Sequence, residues 1–329
     1  MYGVSTHTQS QTPHLWIDTF FAMRQPTLFC FMVARSAEFP LVKLAVPHLL
    51  QCTGHGIYSN VTHHFQHGVY TRPVLKGSMD TPRCHDARKG CNMGAPNAEI
   101  FIPVWEHISH HVAYHDWIVK IDADSLFMVQ QMQRVLASLP AGTARAPTLL
   151  VHRCAPGFFM KSGCTYGALI ALSGPVVQRL RLAGNASMAC KEETARGMAR
   201  GFGEDAWTAF CADRMGAQRV FVPNMLVPDS VADGRGFSKW DLLGKIWDPY
   251  CLSPFVSHQS LAPFAAFHPN KSPAQWQRCL RNVQRAWWLS DPTPRELAIA
   301  CIISAMALAV SLVLAGRLCG RLSTVGSPV

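Results

Sequence analysis

Short apolar runs separated by segments of helical spacing predict an α/β sheet with helices on both faces, followed by one C-terminal transmembrane helix. Three observations carry this. Runs suited to buried strands alternate with amphipathic stretches from Thr27 onward. One such run, Ile118 to Ile121, stops abruptly at Asp122-Ala123-Asp124. Leu297 to Gly316 holds twenty residues without a charge, about 30 Å of helix at 1.5 Å per residue, the thickness of a bilayer's hydrocarbon core.

Taken in order, Thr27 to Ala34 (TLFCFMVA) is short, apolar and aromatic, which predicts a buried strand. Ala98 to His111 has Ile100, Val104 and Ile108 on one helical face. The run Ile118 to Ile121 is a second strand, and Met128 to Leu139 a helix that Pro140 ends. Thr148 to His152 is predicted as strand, Pro175 to Leu182 as helix, Gly203 to Gly216 as helix between two glycines, and Gln218 to Val222 as strand. The organisation expected is an N-terminal extension (1–26), a domain (27–280), a Pro- and Arg-bearing neck (281–296), the membrane helix (297–316) and a short tail (317–329).

Of the 329 residues only 15% are charged while 49% are hydrophobic, which excludes a disordered or fibrous chain. The net charge is +10, from 30 basic and 20 acidic residues, but the basic residues are scattered. No nucleic-acid signature accompanies them, so no nucleic-acid partner is expected. Sequences of P-loop, GxSxG, HExxH and CxxC type do not occur, which sets aside ATPase, esterase and zincin chemistry.

Acids are scarce, so their clusters are informative. A strand that delivers Asp122-x-Asp124 at its C-terminal end places two hard oxygen ligands at the rim of the sheet, where open α/β sheets bind ligands. Mn²⁺ or Mg²⁺ suits such ligands. The alternative is a pair of turn or capping aspartates before Met128. A second pair, Glu204-Asp205, follows Gly201-Phe202-Gly203 and opens a helix. Acids there gain from the helix dipole, and Asp205 is in addition a candidate general base.

In this order, Asp-x-Asp after a strand, a Gly-rich loop (Gly163-Cys164-Thr165-Tyr166-Gly167-Ala168), then Gly-Glu-Asp-x5-Cys and Phe267-His268-Pro269, the chain from about Thr27 to Leu289 resembles the β-1,3-glycosyltransferases of the fringe and core 1 galactosyltransferase type. The resemblance implies the GT-A fold, a mixed sheet flanked by helices that binds a nucleotide-sugar. It implies a metal held by Asp122 and Asp124, with His268 as a third ligand, bridging the diphosphate of a UDP-sugar. Asp205 matches the base that deprotonates the acceptor hydroxyl in inverting members. Glu204 is read as a helix cap or acceptor-binding group, and Gly163, Tyr166 and Gly167 as the lining of the donor sugar. The partners implied are a nucleotide-sugar donor and a glycan or glycoprotein acceptor. Three departures accompany it: Ala123 replaces the family's frequent middle acid but leaves both ligands intact, the expected anchor is C-terminal where fringe-type enzymes carry an N-terminal one, and no acid follows the early strand near Gln51–His55 to hold the base. A non-catalytic carbohydrate-binding module and a tail-anchored adaptor facing the cytosol are the alternatives.

Topology signals oppose one another. Arg278, Arg281, Arg285 and Arg295 precede the span and only Arg317 and Arg321 follow, which by the positive-inside rule puts the domain in the cytosol. Sequons at Asn60, Asn185 and Asn270, and ten cysteines outside the anchor region, favour an ER or Golgi lumen instead. Cys84 and Cys91 are candidates for a disulfide, whereas Cys30 and Cys211 are expected to pack as small hydrophobes. His107, His110, His111 and His115 are read as a solvated or interface stripe rather than a zinc site, and so are His63, His64 and His67.

Overall fold

The computed structural model describes residues 25–77, 79, 98–112, 114–152, 167–181, 190, 204–223, 225–227, 251, 261, 264–268, 270–290 and 302–306. Its main sheet has seven strands. These are β1 (Leu28–Val33), β2 (Gly54–Tyr58), β3 (Thr71–Arg72), β4 (Trp117–Asp122), β6 (Thr148–Val151), β7 (Leu169–Ser173) and β8 (Gln218–Phe221), ordered β3-β2-β1-β4-β7-β6-β8. All neighbours run parallel except β7, which is antiparallel to β4 and to β6. A small second sheet joins β5 (Leu126–Phe127), β10 (Ala266–Phe267) and β9 (Leu226–Val227). The α/β class expected from the sequence is present, with β4 spanning Trp117–Asp122 where the apolar run predicted it.

The strand sequences explain why both faces are covered. In β1 every residue is buried: Leu28, Cys30 and Met32 enter one core, Phe29, Phe31 and Val33 the other. A strand apolar at every position is what a sheet covered on both faces requires. The first core is closed by α1 (Phe39–Leu49), α3 (Val129–Ala137) and α6 (Pro273–Ser290), the second by α2 (Ala98–His111), α4 (Gly174–Arg181) and α5 (Glu204–Arg214). Helix α6 contributes Trp276, Cys279, Val283 and Ala286, one buried stripe at helical spacing. It therefore packs on the domain, and Arg281 to Ser290 of the expected neck continue it.

Among the elements that the sequence does not predict are β7 and α1. Strand β7 follows directly on the Gly-rich loop, and its antiparallel insertion beside β4 has no local signature. Helix α1 carries Pro40 in its first turn, which a helix accepts, but also Pro47 inside, which masks the helical pattern.

Cys30 and Cys211 do not pack as lone hydrophobes. Cys30 is bonded to Cys52, Cys211 to Cys190, and Cys251 to Cys279. Each pair joins an element of the core to a segment 21 to 28 residues away, and three such bonds suit an oxidising compartment. Cys84 and Cys91 lie outside the described residues. Asn270 is fully buried, its amide donating to the Phe267 carbonyl at 3.1 Å, so this sequon offers no acceptor in the folded chain. Asn185 lies outside the described residues. Among the described residues no helix is long and apolar enough to cross a membrane. Of the segment Leu297–Gly316 only 302–306 is described, a helical stretch with Ile302, Ile303 and Met306 exposed.

Removing the Cys30–Cys52 bond by a double alanine substitution is expected to cost about 3 kcal/mol, the loop-closure value for a loop of this length. Denaturant unfolding of the oxidised chain and the variant measures it, and peptide mapping without reductant reads the three pairings directly.

Candidate functional site

The site sits at the C-terminal edge of β4. Asp122 ends the strand, its N–H donating to the Ala168 carbonyl at 3.0 Å, and the chain turns at once, with the Ser125 N–H donating to the Asp122 carbonyl. Asp124 thus stands beside Asp122 rather than across the sheet. The second sheet brings the third group. Phe267 of β10 pairs antiparallel with Leu126 of β5, so the residue after Phe267 lies alongside the turn before Leu126. That residue is His268. The Asn270 N–H donating to the Asp124 carbonyl at 2.7 Å fixes the register.

Asp122, Asp124 and His268 offer one ligand atom each within 4.8 Å of one another, the three groups the sequence proposed. Nε2 of His268 is 3.2 Å from Oδ1 of Asp124 and 4.0 Å from Oδ2 of Asp122. The remaining carboxylate oxygens are each held by a lysine. Lys271 contacts Oδ2 of Asp124, and Lys120 contacts Oδ1 of Asp122 at 2.5 Å. One oxygen per aspartate is left facing the imidazole nitrogen. Burial raises the Asp124 carboxyl, but the hydrogen bond and charge of His268, with Lys271, outweigh it and hold the group well below the usual carboxylate range.

Lys120 is the residue the sequence reading passed over. Its side chain is 1% exposed and its ammonium donates to three oxygens: Asp122 Oδ1 at 2.5 Å, the Gly167 carbonyl at 2.5 Å and Glu204 Oε2 at 2.6 Å. The Phe101 ring lies 4.5 Å beneath it. A lysine inside an apolar strand covered on both faces was itself the signal, because a buried charge is kept only when paired. Burial opposes the charged form, yet Asp122 and then Glu204 outweigh it and hold the ammonium above the ordinary lysine pKa.

Through Lys120 the second acidic pair joins the first. Glu204 and Asp205 open α5, as the Gly-Glu-Asp pattern predicts. Glu204 is 2% exposed and turned inward to Lys120, where burial raises its carboxyl and the lysine's charge pulls it back down. Asp205 is half-buried, accepts the Ala206 N–H at 2.9 Å, and is also raised by burial. Gly167 reaches the site through its carbonyl, while Gly163 and Tyr166 lie outside the described residues.

The histidine stripe stays apart from this chemistry. His107 and His111 stack at 4.2 Å, His115 packs edge-on to Phe29, and neither they nor His63, His64 and His67 form a metal cluster among the described residues. Phe39 stacks on His63 at 4.5 Å.

Lys120→Met leaves two inward carboxylates without their cation and is expected to cost about 3 kcal/mol or more. Lys120→Met with Glu204→Gln removes both members of the buried pair and is expected to cost less than the single change. Urea denaturation of both variants checks the order.

No family model and no curated protein matches the chain. Among solved structures, a galactosyltransferase, LgtC, in complex with donor and acceptor sugar analogues aligns at 10% identity over 60% of this chain and 74% of that one. The TM-score is 0.31, an overlap on which no assignment of fold family or activity rests.

Proposed function

We propose that this chain is a membrane-anchored, metal-dependent glycosyltransferase of the GT-A fold, moving a hexose from a UDP-sugar to an acceptor hydroxyl with inversion, in the ER or Golgi lumen. The observation that carries the reading is the convergence of Asp122, Asp124 and His268 at the C-terminal rim of β4, joined through one buried lysine to the acidic pair that opens α5. The motif order resembling the fringe and core 1 type supports it, as do the three disulfides. The anchor reading rests on the uncharged run Leu297–Gly316.

The donor set fits a divalent cation. Two carboxylate oxygens and one imidazole nitrogen face a common point, a mixed oxygen and nitrogen set that suits Mn²⁺ better than Mg²⁺. When bound, such a cation supplies positive charge against the diphosphate of the donor and the departing UDP. The protein's own part is orientation and proton transfer. Lys120 and Lys271 each hold one oxygen of a ligand aspartate, which leaves the other oxygen turned toward the shared point. Asp205 takes the proton of the acceptor hydroxyl at its carboxylate, and burial strengthens it as a base. Glu204, turned to Lys120, acts behind Asp205 rather than on the acceptor.

One contact favours a second reading. Lys271 on Asp124 provides a positive charge where a cation would sit, which a non-catalytic carbohydrate-binding module could keep in place of a metal. Calorimetric titration of the full chain with UDP separates the two. For the transferase, UDP binding requires Mn²⁺, is lost in Asp122→Asn and Asp124→Asn, and weakens at least about tenfold in His268→Ala. UDP binding indifferent to Mn²⁺, or none, favours the module.

Asp205→Asn is expected to leave Mn²⁺-dependent UDP binding intact while lowering sugar transfer by about 10²- to 10⁴-fold, the range of a lost general base. Transfer from radiolabelled UDP-sugars to a panel of glycan acceptors measures it. Full transfer in this variant removes Asp205 from the proposed chemistry.

A further inference from the structure

Helix α6 has two unlike faces. Trp276, Cys279, Val283 and Ala286 are buried in the core, and the opposite side exposes Arg278, Arg281, Arg285 and Trp288 at intervals of three, four and three residues. That spacing keeps the four on one stripe. The helix contains no acidic residue, and none of the three arginines pairs with a described residue. Trp288 is 55% exposed, next to Trp287, over which the Arg134 guanidinium sits at 4.8 Å. A cavity of about 460 Å³ flanks this end, lined by His48, Gln51, Arg134, Gln284, Trp287 and Trp288 among others.

Where this helix ends matters. Ser290 is its last residue, and the uncharged run begins at Leu297. Beyond that, 302–306 is helical with Ile302, Ile303 and Met306 exposed. A basic stripe finished by tryptophan, a few residues before a bilayer-length apolar run, has the order of groups met at a membrane surface: cations for lipid phosphates, then indoles for the headgroup level. Its charge complements anionic lipid.

We propose that the Arg278-Arg281-Arg285-Trp288 face of α6 lies on the bilayer and binds anionic phospholipid headgroups, so that the domain is seated on the membrane rather than swinging from its anchor. This rests on the anchor reading of 297–316 and requires anionic lipid in the leaflet that the domain faces, lumenal for the placement proposed above. It has a consequence for the site. Helix α6 starts at Pro273, two residues after Lys271 on Asp124, and its 18 residues span about 27 Å. Seating α6 holds the cation-site end within one helix length of the lipid surface, where membrane-borne acceptors would meet it.

The test uses the full chain in nanodiscs of brominated phosphatidylcholine, with or without 30% phosphatidylserine. The difference in quenching between the chain and Trp288→Phe isolates the signal of Trp288. Trp288 is expected to be quenched in the anionic discs and released by 0.5 M salt. The variant Arg278→Gln/Arg281→Gln/Arg285→Gln, all at exposed positions, is expected to release it too. Each arginine contributes about fivefold in surface partition, on the order of a hundredfold for three. Equal quenching in neutral and anionic discs, or no change in the triple variant, overturns the proposal while leaving the anchor standing. A chain that alkaline carbonate strips from membranes overturns both. Loss of heparin binding in the triple variant without any lipid effect assigns the stripe to a soluble polyanion instead, and also overturns it.

Discussion

One buried ammonium organises the site. Lys120 is surrounded by core side chains and neutralised by two carboxylates from different parts of the chain, one ending β4 and one opening α5. An isolated charge at that depth is unfavourable by several kcal/mol, so Asp122, Glu204 and the Gly167 carbonyl must meet there whenever the domain folds. The arrangement therefore fixes three things with one group. It turns Asp122 toward His268, sets the first turn of α5 and hence Asp205, and ties down the end of the loop that precedes β7.

The scaffold around it explains why such a cluster can persist. β1 and β4 are buried on both faces, and their parallel register carries Asp122 to the rim beside Val33. Beyond the rim the three-stranded sheet takes over, with β5 and β10 pairing so that His268 and Asn270 bracket Asp124. Helix α6 closes this corner and is itself held by the Cys251–Cys279 bond and by the Asn282 amide donating to the Cys251 carbonyl at 2.8 Å. Candidate ligands from distant stretches of sequence thus rest on covalent and hydrogen-bonded supports outside the sheet.

What could be read from the sequence follows from how local each signal is. Asp-x-Asp at the end of an apolar run and acids in a helix's first turn are local patterns, and both lie where the sequence puts them. Lys120 was equally visible, a charge inside a strand without polar alternation, but its meaning needs the partner across the sheet. The role of His268 depends on pairing of two-residue strands, too short for any periodicity to show. The disulfides of Cys30 and Cys211 were hidden because an apolar neighbourhood suits a free thiol and a buried bond equally well. Helix α6 is masked in the sequence by its arginines, which give its second half the composition of a linker, while its buried stripe shows only against the folded core.

The two lysines at the ligand aspartates differ in a way that bears on chemistry. Lys120 is locked in the core with Glu204 as a second anion, so a cation at Asp122 need not displace it. Lys271 is 65% exposed and among the described residues rests on Asp124 only, at the end of a long side chain open to solvent. An exposed ammonium is readily re-solvated, since surface ion pairs contribute only about 0–1 kcal/mol. A divalent ion competing for Asp124 therefore meets a weak opponent on the open side and a permanent support on the buried side. That asymmetry keeps the same pair of aspartates neutralised by lysines while leaving Asp124 open to the divalent cation proposed above, without rearrangement of the strand that carries them.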